Sequence, residues 1–538
     1  MAKLFLGLDS STQSLSAVVI DCDRRKVAYD QSLNFDRTLP QYGTQNGVLP
    51  SSDPLVKHSS PLMWAEALDL IFAEMKQDGV ALGDILAISG SGQQHGSVYF
   101  NQRAADTLAN LDARKPLVEN LRQARRIPQP AKADGVFSRL TSPIWMDSST
   151  AVECAEIREK LGGIRDTAEA TGSDTFERFT GPQIRKFCKT SPEAYAQTAS
   201  VALVSSFMAS LLAGKIAPID HGDGAGMNLM DIRKKTWHAA ALRATAPDLR
   251  KKLPPLAASW KVVGPVSPYF VGKFGVNPEA QTLVWSGDNP CSVVGLGLIR
   301  EGRVAISLGT SDTYFGSMKQ CRTDARGEGH VFGSPTGDYM TLICFKNGSL
   351  AREKVREQYG IKDWRKFGEA LTATAPGCQG GILLPWFEAE IVPRVNRPGV
   401  RRFDLDERDA ALNCRAVVEA QMMAMRLHSQ WMKVAPDCIY ATGGASNDLP
   451  VLQIMADVMN CRVLRIEIAK SAALGAALRA AHGWLRETGE KPRWEQVVAG
   501  FSDPVPHSEI RPNAKAAKIY DRLIEKYARC ERAALDTL

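Results

Sequence analysis

Two short stretches run an apolar strand straight into small hydroxyl residues. In LFLGLDSSTQS (4–14) the strand meets Asp9, Ser10, Ser11, Thr12 and Gln13; in VAISLGTSDT (304–313) it meets Gly309, Thr310, Ser311 and Asp312. Phosphate oxygens need backbone N–H donors, hydroxyls and a metal, and only small residues let the chain come within hydrogen-bond distance of them. Asp9 then suits a Mg²⁺-side carboxylate, direct or through water, because Mg²⁺ keeps several waters and takes few protein ligands. Each turn alone also reads as an ordinary β-hairpin, with Asp9 and Asp312 making local turn bonds. Folding does not require a matched turn in each half of a chain, so the pair favours the phosphate reading.

A third acid stands in WSGDNP (285–290). Asp288 or Asn289 could cap the following helix with Pro290 in its first turn, or Asp288 could serve as a general base held at a domain junction. His95 in SGQQHGS reads either as a satisfied structural histidine or, beside Gln94 and two glycines, as part of a binding loop. Arg178 in TFERFTG is a surface arginine on first principles, and TGGASND (442–448) is a glycine turn that could dock an adenine or simply reverse the chain. GxxxxGK[ST], strict GxGxxG, HExxH, GxSxG and zinc-type Cys/His spacings are all missing, which makes a Walker ATPase and a Rossmann dehydrogenase poor fits.

The elements that must carry these residues alternate between strand and helix. KLFLGL and LSAVVI read as strands, 63–79 as an amphipathic helix, and 85–100 as strand, glycine-rich turn and strand. TLVWSGDNPCSVVGLGL reads as strand, turn and helix; strand, turn and strand recur from 303. Helices are expected at 407–435, 471–483 and 513–534, with CIYATGGASND as a strand and turn. The class is α/β, in two similarly built halves.

At 538 residues the chain is long enough for two domains, and 44% hydrophobic with 23% charged residues fits a soluble globular protein. The net charge of +7 is scattered. Its densest patch, RQARR at 122–126, reads as solvated surface, so neither nucleic acid nor membrane is expected as a partner. Eleven cysteines without a CxxC pair, and no secretory signal, suggest reduced thiols in the cytoplasm. The uncharged run 194–214 reads as a buried helix. Residues 101–137, polar and aperiodic, read as a surface insertion.

Taken together, LGLDSSTQS, NFDRTLPQYGTQNGV, ISGSGQQHGSVYF, SPIWMDSST, TFERFTG, DGAGMNL, SGDNP, SLGTSDT, CFKNGSLAREK and ATGGASND resemble the FGGY carbohydrate kinases of the actin–Hsp70–sugar kinase superfamily. Within that family they are most similar to the longer, eukaryotic-type members that act on D-xylulose. The resemblance implies two actin-like (RNase H-like) domains, 1–294 and 295–538, with ATP and sugar in a cleft between them. It implies transfer of the ATP γ-phosphate to O5 of D-xylulose with Mg²⁺, and it admits a homodimer. It also implies that His95, Arg178, Asp288 and Asn289 bind the sugar, with Asp288 as catalytic base. Asp9, Ser11, Thr12 and Gln13 would form one phosphate loop and Gly309, Thr310 and Ser311 the other. Trp364, Gly444, Ala445 and Asp448 would hold adenosine. Three positions depart from the broad family pattern: Ser11 replaces a glycine, Ile391 in LLPWFEAEIVP replaces an arginine, and Asp448 stands where asparagine is expected.

Overall fold

The computed structural model describes residues 3–122 and 135–537. Two compact units emerge, and the chain does not divide between them at a single point. Met1–Ile299, Phe332–Tyr339 and Ile468–Ser502 form the first; Arg300–Val331, Met340–Glu467 and Asp503–Leu538 form the second. The sequence reading draws one boundary after residue 294, whereas the structure passes two later segments back to the first unit.

The first unit is built on a seven-stranded sheet. Its strands β1 (Leu4–Ser10), β2 (Ser14–Asp21), β3 (Lys26–Asn34), β4 (Ile85–Gly92), β5 (Val262–Pro265) and β6 (Gln281–Leu283) lie in the order β5–β6–β4–β1–β2–β3, and Ser286–Gly287 extends the pairing with β4. β1 runs antiparallel to β2 and parallel to β4. The parallel register sets Asp9 opposite Ser91, and Ser286 is also paired with Ser91. Apolar residues at three- and four-residue spacing make Pro61–Gln77 a helix, α1, which buries Met63, Trp64, Leu68, Ile71, Phe72 and Met75. Three further helices frame the site: α2 (Val204–Ala213), α3 (His221–Ala225) and α4 (Asp288–Gly295).

In the second unit a six-stranded sheet contains β7 (Arg303–Leu308), β8 (Asp312–Met318), β9 (Tyr339–Phe345), β10 (Cys438–Thr442) and β11 (Val463–Arg465), ordered β9–β8–β7–β10–β11. β7 is antiparallel to β8 and parallel to β10, the same relations β1 has with β2 and β4. The two halves therefore repeat one plan, as the matched turns suggest. Helices α5 (Ser349–Gln358), α6 (Trp364–Ala373), α7 (Ala410–His428) and α8 (Leu449–Met459) belong to this unit.

Helix α9 (Ser471–Glu487) explains why Ile468–Ser502 returns to the first unit. Its small residues let it lie directly on β1 and α4: a Cβ on Gly7 would come within 2.1 Å of the Ala473 carbonyl, and one on Gly475 within 1.9 Å of the Cys291 carbonyl. Ala473, Ala477, Leu478, Ala480 and Ala481 join Phe5, Val18, Ile20, Ala87 and Leu283 in one buried cluster. Burying a Leu or Phe side chain contributes about 1.5–3 kcal/mol, so this contact outweighs sequence proximity.

Two other expectations change. The run 194–214 is a short helix (Pro192–Gln197), a strand (Ser200–Leu203) and then α2, whose Phe207, Met208, Leu211 and Leu212 are buried. Among the described residues, no helix is long and apolar enough to cross a membrane. The described parts of 101–137 form helices Ala104–Ala109 and Leu117–Arg122 and bury Leu108, Leu117, Leu121, Val136 and Phe137, so the segment is anchored in the core on one side while residues such as Asp106, Asn110 and Arg114 stay exposed. Residues 123–134, with most of the RQARR patch, lie outside the described residues. Cys22, Cys154, Cys188, Cys291, Cys378, Cys414, Cys438, Cys461 and Cys530 are free thiols.

Candidate active site

In the first unit the turn after β1 is tightened by local bonds. Ser11 donates its N–H to the Ser14 carbonyl at 2.9 Å, and its hydroxyl donates to the same oxygen at 3.0 Å. Thr12 Oγ1 accepts from Trp145 Nε1 at 2.7 Å and donates to Gln93 Oε1 at 3.4 Å. Gln13 lies exposed at the tip. Gly47 must be glycine here: a Cβ would sit 1.8 Å from the Thr12 carbonyl oxygen.

Asp9 stands half-buried at the end of β1 and accepts from Ser91 Oγ at 2.5 Å on Oδ1. Burial pushes its carboxyl up to about 7; the Ser91 hydrogen bond opposes this, and the charge of Asp288 adds to it. Asp288, also half-buried, opens α4. The cap itself is Gly287, which has no side chain to offer, so neither Asp288 nor Asn289 fills the capping role the sequence allows. Asp288 Oδ1 instead accepts the Asn289 N–H at 2.8 Å, the Gln94 N–H at 3.3 Å and Asn289 Nδ2 at 3.1 Å. Among the described residues every one of these bonds ends on Oδ1, leaving Oδ2 available. Burial raises this carboxyl to about 6, against the opposing backbone N–H groups of Asn289, Gln94 and Asp288 itself.

His95 is buried in the left-handed region with φ +72, a conformation that costs a non-glycine residue energy and concentrates at functional sites. Its Nδ1 lies 2.9 Å from the Gly226 carbonyl. Burial, reinforced by the charge of Arg178, lowers its pKa to about 3, so the ring is neutral. A carbonyl only accepts, so Nδ1 carries the proton and Nε2 is left as an acceptor. Gly226 makes room for this bond, since a Cβ there would fall 2.7 Å from Nδ1. Phe179 packs on the imidazole at 4.4 Å, and the Arg178 guanidinium lies over Phe176 and Phe179 at 5.1 and 5.7 Å. Asn289 Nδ2 also donates to Gln94 Oε1 at 2.8 Å. Asp288 and Asn289 thus bond to Gln94, the neighbour of His95, while Arg178 and His95 share contact with Phe179.

The second unit holds a cavity of about 1080 Å³ lined by Gly309, Thr310, Trp364, Gly444, Ala445 and Asp448. Ser311 of the same turn is exposed and outside that lining. Gly443 takes φ +86, and its Cβ position lies 2.6 Å from the Leu308 carbonyl; a Cβ on Gly444 would meet nothing within 4 Å. Protein packing demands the first glycine and leaves the second facing open space. Asp448 caps α8, accepting the Val451 N–H at 3.2 Å, and burial raises its pKa. Trp364, 41% exposed, stacks under Arg356 at 4.7 Å.

Asp312 keeps one local turn bond, from the Gly309 backbone, but its main partner is remote. It is fully buried and paired twice with Arg352, at 2.9 and 3.1 Å, while Arg352 Nη1 also donates to Gln421 at 2.8 Å. Glu390 accepts the N–H groups of Lys346 at 2.6 Å, Asn347 at 3.1 Å and Ile391 at 2.7 Å, so that acid shapes the 346–348 turn. The sequence offers no signal for Ser91, Gln93 or Trp145, and for Gln94 only its place beside His95. Their roles depend on strand pairing and on contacts 81 to 194 residues apart in sequence.

The model of the FGGY family of carbohydrate kinases, N-terminal domain, matches residues 139–295, and that of its C-terminal domain matches 304–484. The chain belongs to the FGGY family of carbohydrate kinases. Its curated relatives include "Xylulose kinase" of Mus musculus, 40% identical over 99% of this chain and 94% of that protein. "Xylulose kinase 2" of Arabidopsis thaliana is 42% identical over 90% of this chain and 88% of its own length. The crystal structure of xylulose kinase from Rhodospirillum rubrum shares the fold, with a TM-score of 0.82 at 19% identity over 99% of both chains. As a carbohydrate kinase, the FGGY chain described here takes a small-molecule sugar and a phosphoryl donor, ATP.

Proposed function

We propose that this kinase transfers the γ-phosphate of ATP to O5 of D-xylulose, giving D-xylulose 5-phosphate and ADP. The observation that carries the chemistry is the Asp288 carboxylate: one oxygen is saturated by three N–H donors, the other is open, and its pKa is raised toward neutrality. A general base works best with a pKa near the operating pH. Kinship supports the choice of sugar, since relatives named for xylulose span nearly the whole chain.

Asp288 Oδ2 takes the proton from O5 as that oxygen attacks the γ-phosphorus, the bond to the β-phosphate oxygen breaks, and ADP departs. His95 Nε2 accepts from a sugar hydroxyl, and Arg178 and Asn289 supply donors. The hairpins at 11–13 and 309–311 offer N–H groups and hydroxyls to phosphate oxygens; Trp364, Gly444, Ala445 and Asp448 hold adenosine. Positioning contributes roughly 7–11 kcal/mol in such transfers, and a general base about 10²–10⁴-fold.

Asp9 would hold Mg²⁺ through its water shell. Among the described residues only one of its oxygens is engaged, by Ser91, and its raised pKa marks negative charge that the protein leaves unbalanced. Bound there, Mg²⁺ would neutralise charge on the phosphates. The test is ADP release across ketoses, pentitols and glycerol, with Mg²⁺ and with EDTA. D-Xylulose should give the highest kcat/KM, and EDTA should abolish turnover. Preference for a pentitol or glycerol would overturn the sugar assignment.

A further inference from the structure

Asp220 is the last residue of the short strand Ile219–Asp220, and it is 1% exposed. Donors reach its carboxylate from three separate segments. Oδ2 accepts the Gly222 N–H at 2.8 Å and the Asp223 N–H at 3.4 Å, which caps α3. The same oxygen accepts the Ser286 hydroxyl, and Oδ1 accepts the Ser259 hydroxyl. Two of these segments lead toward the site. Helix α3 is followed by its cap Gly226, whose carbonyl fixes the proton on His95 Nδ1, and the Gly226 N–H bonds back to the Asp223 carbonyl at 3.0 Å. Ser286 lies two residues before Asp288. The helix also abuts α4 directly, since a Cβ on Gly222 would lie 2.9 Å from Pro290 Cγ and 2.8 Å from Asp220 Oδ2.

We infer that Asp220 is a positioning residue that couples the histidine-bearing loop to the base: its carboxylate ties α3, which sets the His95 tautomer, to the strand that delivers Asp288. The inference rests on the sugar- and base-roles proposed for His95 and Asp288. A carboxylate suits the task because it accepts four hydrogen bonds at once and donates none. Four donors left without it inside the unit would each seek another partner, and the two segments would separate.

The experiment compares Asp220→Ala, Asp220→Asn and Ser286→Ala in the full chain. Asparagine can still accept from Gly222 and Ser286 on its oxygen and donate to the Ser259 hydroxyl, so it should retain most activity. Alanine should raise the sugar KM and lower kcat, each about tenfold or more, with the ATP KM unchanged. Ser286→Ala cuts only the link toward Asp288 and should lower kcat severalfold with a smaller change in sugar KM. Nitrogen-15 NMR of the His95 ring gives a readout independent of turnover. The Nδ1–H form should be retained in the wild type, in Asp220→Asn and in Ser286→Ala, and should lose its dominance in Asp220→Ala. If Asp220→Ala keeps that tautomer, the coupling is refuted, whatever sugar the enzyme uses. It is refuted equally if alanine and asparagine lower activity alike, or if sugar and ATP KM rise together. Should D-xylulose prove a poor substrate while the tautomer still shifts, the sugar assignment fails and the coupling stands.

Discussion

Asparagine in place of Asp288 should slow turnover and stabilise the fold at the same time. The amide keeps an oxygen where Oδ1 accepts three hydrogen bonds, so the local geometry survives. What it removes is a negative charge that the fold disfavours. The carboxyl is raised from 3.8 to about 6, mainly by burial. The native state therefore holds this proton more tightly than the unfolded chain. The stability so gained is complete below pH 3.8, is lost as pH rises toward about 6, and is absent above it. At about 1.4 kcal/mol per pH unit, the ionised carboxylate costs the folded protein up to about 3 kcal/mol at pH 8, an upper figure because water reaches the half-buried group. Asp288→Asn should accordingly unfold a few degrees higher than wild type at pH 8, with the difference vanishing near pH 4. Its kcat should fall about 10²–10⁴-fold. Calorimetry at the two pH values, with coupled ADP release at pH 8, measures both effects. A variant of unchanged stability at pH 8, or one that turns over within tenfold of wild type, would refute the reasoning.

Because Asp9 and Asp288 ionise near 7 and 6 and repel one another, kcat/KM for the sugar should climb with pH through both values and then level. Ser91→Ala, which deletes the hydrogen bond holding Asp9 down, should move the upper limb to higher pH. His95→Ala should raise the sugar KM about tenfold, the worth of roughly one net hydrogen bond, and by the same factor from pH 6 to 9 because the imidazole is neutral throughout. Gly444→Val should fold normally and raise the ATP KM at least tenfold, read by initial rates. Gly443→Ala should instead lower Tm, since φ +86 and the Leu308 carbonyl at 2.6 Å both oppose a side chain.

Much of the site was legible because it rests on short-range rules. Small hydroxyl residues after a strand, an acid at a strand-to-helix junction and a glycine pair after a buried strand each name their own local geometry. The repeat of the first signal at 4–14 and 304–313 disclosed two similar sheets, which the strand orders bear out. The misreadings arise where the partner is remote. Residues 101–122 look polar and aperiodic, yet Leu108, Leu117 and Leu121 enter the core through two helices too short to show a period. Asp312 keeps its turn bond with Gly309, but the sequence does not disclose that Arg352, 40 positions away, pairs with its carboxylate.

The amino-acid sequence alone determined the strand–turn chemistry and family membership, since both are written in neighbouring residues. Tertiary structure decided which acid is free and which is neutralised. It gave His95 its tautomer through Gly226, 131 residues on, and brought α9 back to the first sheet. The reason is physical: a turn is specified by its own torsions and side-chain size, whereas a pKa, a tautomer or a helix docking site belongs to whatever the folded chain places against it.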